Sequence, residues 1–160
     1  MKRLTFLSHF VLCLAVAAGA FFAWRAGALA AVWEGDQSRM TSAIAALLVG
    51  TLAWLGVQAW HVGEGVTSPI SGKRWDKARE QWREPPDASF GHLAERLAVI
   101  LGFVGTAVGL SLQAKALASG SASFDALATS LFTTACGGTA AGIIAVATHA
   151  LEAGIRRARG

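Results

Sequence analysis

The residues with the clearest capacity for chemistry are hydroxyl side chains within long uncharged stretches of the chain. Five of them lie close together towards the C-terminus, and a sixth, Thr106, lies in the preceding uncharged stretch. The five are Thr129, Ser130, Thr133, Thr134 and Thr139. A hydroxyl both donates and accepts hydrogen bonds, so such a group can solvate a proton or a protonated side chain without carrying charge. The pattern predicts a polar wall, although each hydroxyl alone can also bond to its own helix and have no further role.

Other kinds of active site find little support in the sequence. No nucleophile is paired with a base, no His, Cys, Asp or Glu residues have metal-ligand spacing, and no loop has the form of a phosphate site. Cys13 and Cys136 lie far apart in apolar stretches and are interpreted as small packing residues. We therefore expect no catalytic residues, no metal and no cofactor, and the protein is not predicted to be an enzyme.

Glycines flank the hydroxyls at helical spacing. Gly102, Gly105 and Gly109 fall along one stripe of the stretch that contains Thr106, and a second group accompanies Thr134. The second group is Gly137, Gly138 and Gly142. Small residues four positions apart let helix backbones approach closely in a membrane. These six glycines are predicted to be helix-packing residues.

The elements that must position these residues are membrane helices. Only 15% of the 160 residues are charged, against about 25% in an average soluble domain. The uncharged stretches cover residues 4–24, 40–62, 97–114 and 126–151, and the third becomes long enough when extended to 94–118. About 20 apolar residues span a bilayer as a helix, so the sequence predicts an all-α integral membrane protein with four transmembrane helices.

The distribution of basic residues predicts the orientation. Eleven of the 14 Lys and Arg residues lie before the first span, between the second and third, or after the fourth. Because short cytoplasmic loops are enriched in Lys and Arg, both termini and the middle loop are expected in the cytoplasm. The bases follow the topology, so the net charge of +4 is not interpreted as a nucleic-acid surface. An alternative is that residues 1–20 form a cleaved signal peptide, which would leave three spans.

Four regions follow from this topology. Residues 1–62 form an N-terminal transmembrane hairpin, 63–93 a cytoplasmic loop, 94–152 a second pair of spans, and 153–160 a basic cytoplasmic tail. Within the loop, residues 71–84 place Trp75, Ala78 and Trp82 on one helical face before Pro85 and Pro86. This predicts a short amphipathic cytoplasmic helix that lies either on the inner leaflet or against its neighbours.

The second pair of spans resembles a known family. The segments LGFVGTAVGL and ALATSLFTTACGGTAAGIIA, in this order and topology, are similar to the paired signature of the MotA/TolQ/ExbB proton-channel family. The resemblance covers roughly residues 93–152. It places the family's two channel threonines on Thr106 and Thr134. Where related chains have a late Pro this one has Ile143, and where some have a Glu it has Thr129 or Ser130.

The resemblance implies a mechanism with two kinds of subunit. Several copies of this chain, five in the family, would form a ring around a single-span ExbD-, TolR- or MotB-like partner that supplies a membrane-embedded Asp. Proton passage along the threonine-lined wall would then drive motion of the partner, with H⁺ as the transported ion. The size of the middle loop favours the ExbB- and TolQ-like branch. The competing hypothesis is a small membrane scaffold or holin-like oligomer without proton coupling.

Overall fold

The computed structural model describes residues 4–27, 30, 39–66, 88–120 and 125–159, and within these ranges the chain forms four long α-helices. They are α1 (Leu4–Arg25), α2 (Met40–Val66), α3 (Ser89–Ala118) and α4 (Asp125–Arg159). Each is long and apolar enough to cross a bilayer. The prediction of an all-α, multi-pass membrane protein with four candidate spans is therefore confirmed. The amphipathic helix predicted at 71–84 lies outside the described residues.

The sequence accounts for where the helices run and end. All three prolines lie between α2 and α3, so no helix loses a backbone hydrogen bond to a proline ring. Gly27 and Gly120 follow α1 and α3 with φ of 75° and 76°, and their N–H groups donate to the carbonyls of Trp24 and Leu117. A glycine adopts this left-handed conformation without steric cost, which makes it a common helix terminator.

The last two helices are longer than the predicted spans. α3 begins at Ser89 and has 30 residues, whereas α4 runs to Arg159 and has 35. At 1.5 Å per residue these correspond to about 45 and 52 Å, against about 30 Å for the hydrocarbon core. Residues 153–159, expected as a tail, therefore continue the helix of the fourth span.

The packing centres on α4, which contacts each of the other three helices. One buried cluster includes Leu55 of α2 and Leu151 of α4, with Cys13 of α1 at its edge. A second joins Ala98 of α3 to Ile144 of α4, with Cys136 at its edge. Large apolar side chains elsewhere point outward, where lipid would cover them; they include Phe22, Val49, Phe103 and Leu131.

Candidate functional site

The close approach of α3 and α4 rests on two facing glycines. A Cβ atom on Gly137 would lie 2.7 Å from the Cα of Gly102 and 2.8 Å from the carbonyl oxygen of Ala98. The two backbones therefore touch with no room for a side chain. One turn along α3, Gly105 lies against Thr133, where an added Cβ would be 2.8 Å from the threonine Cβ.

This approach brings the two predicted channel threonines together. The hydroxyl of Thr106 on α3 contacts the hydroxyl of Thr134 on α4. Thr134 Oγ1 donates to the Ser130 carbonyl at 3.0 Å, while Thr106 Oγ1 has two carbonyl acceptors within reach, Gly102 at 3.0 Å and Ser130 at 3.3 Å. The two hydroxyls thus share one main-chain oxygen between them.

The hydroxyl pair has the chemistry to accommodate a proton donor. In their mutual hydrogen bond one hydroxyl donates to the other, which itself donates to a carbonyl, and an oxygen lone pair is left for an approaching donor. When either hydroxyl rotates, it donates to its neighbour instead. Thr134 is exposed and Thr106 partly exposed in the single chain, so an approaching side chain or water can reach the pair. We call Thr106, Thr134 and the Ser130 carbonyl the hydroxyl site.

The other hydroxyls predicted to line the path lie in different surroundings. Ser130 and Thr133 are buried, and their hydroxyls donate within α4 to the carbonyls of Leu127 and Ser130. Thr139 is exposed one turn beyond Thr134. The side chain of Thr129 lies outside the described part of the structure. Thr106 and Thr134 contact each other across the two helices through their hydroxyl groups.

The six predicted packing glycines fall into two groups, one buried in the chain and one exposed. Gly102, Gly105, Gly109 and Gly137 are buried in the chain, as packing between its own helices requires. Gly138 and Gly142 are exposed, and a Cβ on either would meet nothing within 4 Å. They lie on the outward side of α4, so packing among the described helices of this chain does not involve them.

The Ser130 carbonyl is the component of the hydroxyl site that sequence reasoning missed. Ser130 is predicted to contribute its hydroxyl, yet its main-chain oxygen is the atom that the hydroxyls of Thr106, Thr133 and Thr134 all approach. Because a side-chain pattern carries no information on which backbone carbonyl accepts a second bond, no sequence signal indicates this acceptor. Among the described residues, no group of His, Cys, Asp and Glu side chains has a geometry that would hold a metal ion.

No model of a known protein family, no curated protein and no solved structure matches this chain.

Proposed function

We propose that this chain is a wall subunit of a proton-driven motor ring in a bacterial inner membrane. In this role several copies, five by resemblance to the MotA/TolQ/ExbB proton-channel family, surround the membrane helices of a partner. The partner supplies an Asp, and protons pass between that carboxyl and the ring. The energy of proton flow then becomes motion of the partner within the ring.

The observation that carries the proposal is the hydroxyl site. Two threonines 28 positions apart in sequence meet across α3 and α4, at a point open to the outside of the single chain. A protonated Asp donates to a hydroxyl oxygen, and an ionised Asp accepts from a hydroxyl hydrogen. The site can therefore receive the partner carboxyl in both of its protonation states.

The surface around the site supports the same assignment. Gly138, Thr139 and Gly142 follow Thr134 among the exposed residues of α4, and no large exposed apolar side chain lies between Phe132 and Val146. A smooth face of this kind lets another helix come close and slide. No Asp, Glu, Lys or Arg lies between Ala126 and Leu151, and His149 lies near the end of this stretch. A carboxyl group at the level of the hydroxyl site is therefore expected from the partner.

Removal of one hydroxyl tests the proposal. Thr106→Val and Thr134→Val keep the side-chain shape, and each is expected to lower proton flux at least about tenfold, because a hydrogen bond to a charged group contributes about 1.5–3 kcal/mol. The measurement is dye-detected proton flux in inverted membrane vesicles from cells that make the chain with its natural partners. Thr134→Ser, which retains the hydroxyl, is expected to restore most of the flux.

Controls separate function from folding. Ser111 lies on α3 and is exposed, and its hydroxyl donates to the Val108 carbonyl of its own helix. Ser111→Ala is therefore the matched loss of a hydroxyl and is expected to leave flux unchanged. Each variant is also checked for assembly into a ring of one defined copy number. Normal flux in both valine variants would refute the proton-channel assignment.

The second candidate function is a scaffold or holin-like oligomer. The glycine contacts are as consistent with this function as with the motor ring. The Gly102–Gly137 approach explains a tight helix pair without any transported ion. Under this hypothesis no co-purifying single-span protein with a membrane Asp is expected, and no neighbouring gene encodes one. Under the motor hypothesis, both are expected.

A further inference from the structure

A cluster of titratable side chains joins α3 to α4 at their cytoplasmic ends, away from the hydroxyl site. His92 Nε2 lies 2.7 Å from Glu152 Oε1. His149 Nδ1 lies 3.4 Å from the other oxygen of the same carboxylate, and the two imidazole rings are 6.0 Å apart with an edge-to-face tilt. One carboxylate therefore accepts hydrogen bonds from two imidazoles, one on each helix.

The charges around this cluster favour the addition of one proton. From α3, Glu95 Oε2 lies 3.8 Å from His92 Nδ1, and from α4, Arg156 Nη1 lies 3.6 Å from Glu152. With both imidazoles neutral, two carboxylates and one guanidinium leave one net negative charge. A proton on either ring cancels it. An opposite charge at this distance stabilises an imidazolium.

The other charged groups lie farther off or on other elements. Arg96 of α3 and Arg157 of α4 are exposed at the same end. α2 packs on both helices, and none of its side chains that the structure describes is titratable. On α1, which contacts α4, His9 bonds to the Leu52 carbonyl and Arg25 lies at the opposite end.

The cluster lies on the helix faces that also form the hydroxyl site. Glu152 follows Thr134 by 18 residues, which is five helical turns or about 27 Å. His92 precedes Thr106 by 14 residues, nearly four turns or about 21 Å. Placing the threonines at the bilayer centre, with about 15 Å of hydrocarbon on each side, puts His92 and Glu152 at the membrane interface. His92 is 40% and Glu152 26% exposed, so water reaches both.

We propose that His92, Glu152 and His149 form a proton-binding site, which serves as the exit of the proton path on the cytoplasmic side. A proton from water adds to a ring-nitrogen lone pair of His92 or His149, and the Glu152 carboxylate stabilises the imidazolium. The same N–H bond then breaks as the proton passes to cytoplasmic water, and the neutral ring is restored. One proton enters and one leaves. The exit role, but not proton binding, rests on the proposed function.

Titration of the full chain in lipid nanodiscs tests proton binding. With ¹⁵N-labelled histidine, the ring resonances of His92 and His149 are followed between pH 5 and 8. Glu152→Gln removes the carboxylate that both rings face, so the pH response of both sets of ring resonances is expected to change from that of the wild-type chain. Arg157→Gln, an exposed charge change at the same helix end, is the control and is expected to leave the pH response of both rings unchanged.

A second variant covers the case in which Glu152→Gln disturbs folding. His92→Gln leaves His149 as the remaining imidazole on Glu152, so the pH response of the His149 ring resonances is expected to change. If each histidine ring that remains in a variant responds to pH as it does in the wild-type chain, the proton-binding site is refuted.

Proton flux in vesicles tests the exit role separately. Glu152→Gln is expected to lower flux at least about threefold, because it removes the carboxylate that stabilises the imidazolium, while Arg157→Gln leaves it unchanged. If Thr134→Val lowers flux but Glu152→Gln does not, the exit role is refuted. If none of these variants changes flux, the motor function and the exit role are both refuted, and the titration alone decides the proton-binding site.

Discussion

His9 illustrates what burial does to a single polar residue in a membrane helix. From sequence, His9 is interpreted as an interfacial residue, because it lies a few positions inside the first span. In the structure its side chain is buried, its Nε2 donates to the Leu52 carbonyl of α2 at 3.1 Å, and Cys13 Sγ lies 3.4 Å from the same nitrogen. The imidazole thus ties α1 to α2 by an interhelical hydrogen bond.

Loss of this bond is expected to loosen α1. We predict that His9→Leu lowers the free energy of unfolding by about 1 kcal/mol, the usual range for an interhelical hydrogen bond in a membrane. Phe10→Leu, at the adjacent exposed position, is expected to have little effect. Denaturant unfolding in mixed micelles measures both variants. Equal stability of the two would show that the hydrogen bond to Leu52 contributes nothing.

At the residue scale, the sequence predicts which residues form the site better than it predicts which residues contact each other. Thr106 and Thr134 were singled out by resemblance to a family, and the structure brings them into contact. The link between His92 and Glu152 joins positions 60 apart. No periodic pattern in the sequence indicates that these two residues pair, because the pairing depends on the axial register of the two helices. That register is set by glycine contacts elsewhere along the pair.

At the scale of the element, the α3–α4 pair depends on which glycines face the partner helix. Gly137 and Gly138 are neighbours on one helix, yet only a Cβ on Gly137 would collide with backbone atoms. We predict that Gly137→Ala lowers the free energy of unfolding by about 2 kcal/mol, because the helices must separate. Gly138→Ala is expected to be neutral or to stabilise the chain by up to about 1 kcal/mol through helix propensity.

Thermal unfolding of the purified chain measures this pair of variants. A similar change in stability for both variants would contradict the contact between Gly137 and Gly102. A larger loss of stability for Gly138→Ala would mean that Gly138, and not Gly137, faces α3. Proton flux in Gly138→Ala carries separate information, since the exposed face of α4 is the one proposed to meet other chains.

The number and type of elements were predictable because lipid imposes one solution on uncharged stretches of this length. The residues at which α3 begins and α4 ends were less predictable. Charge marks where a span leaves the hydrocarbon, but it does not stop a helix in water, so α3 begins at Ser89 and α4 continues to Arg159. The rise and fall of hydrophobicity along the sequence therefore does not report these ends.

At the scale of the whole molecule, the orientation in the membrane is a prediction that labelling can check. In a chain whose two cysteines are changed to Ala, Arg25→Cys and Arg157→Cys place single thiols at opposite ends of the bundle. A membrane-impermeant maleimide is expected to label the thiol at position 25 in intact cells and the thiol at 157 only after permeabilisation. The reverse pattern would invert the topology and place the histidine cluster outside the cytoplasm.

The length of α4 has a mechanical consequence. A single unbroken helix of 35 residues contains both Thr134 and Glu152, so these two positions move together when the helix tilts. The contact between Gly137 and Gly102 is the point about which it can tilt. A tilt of about 10° about this contact shifts the Glu152 end sideways by roughly 4 Å over the 15 residues from Gly137 to Glu152. A small displacement of the helix near Gly137 thus becomes a larger one at its C-terminal end.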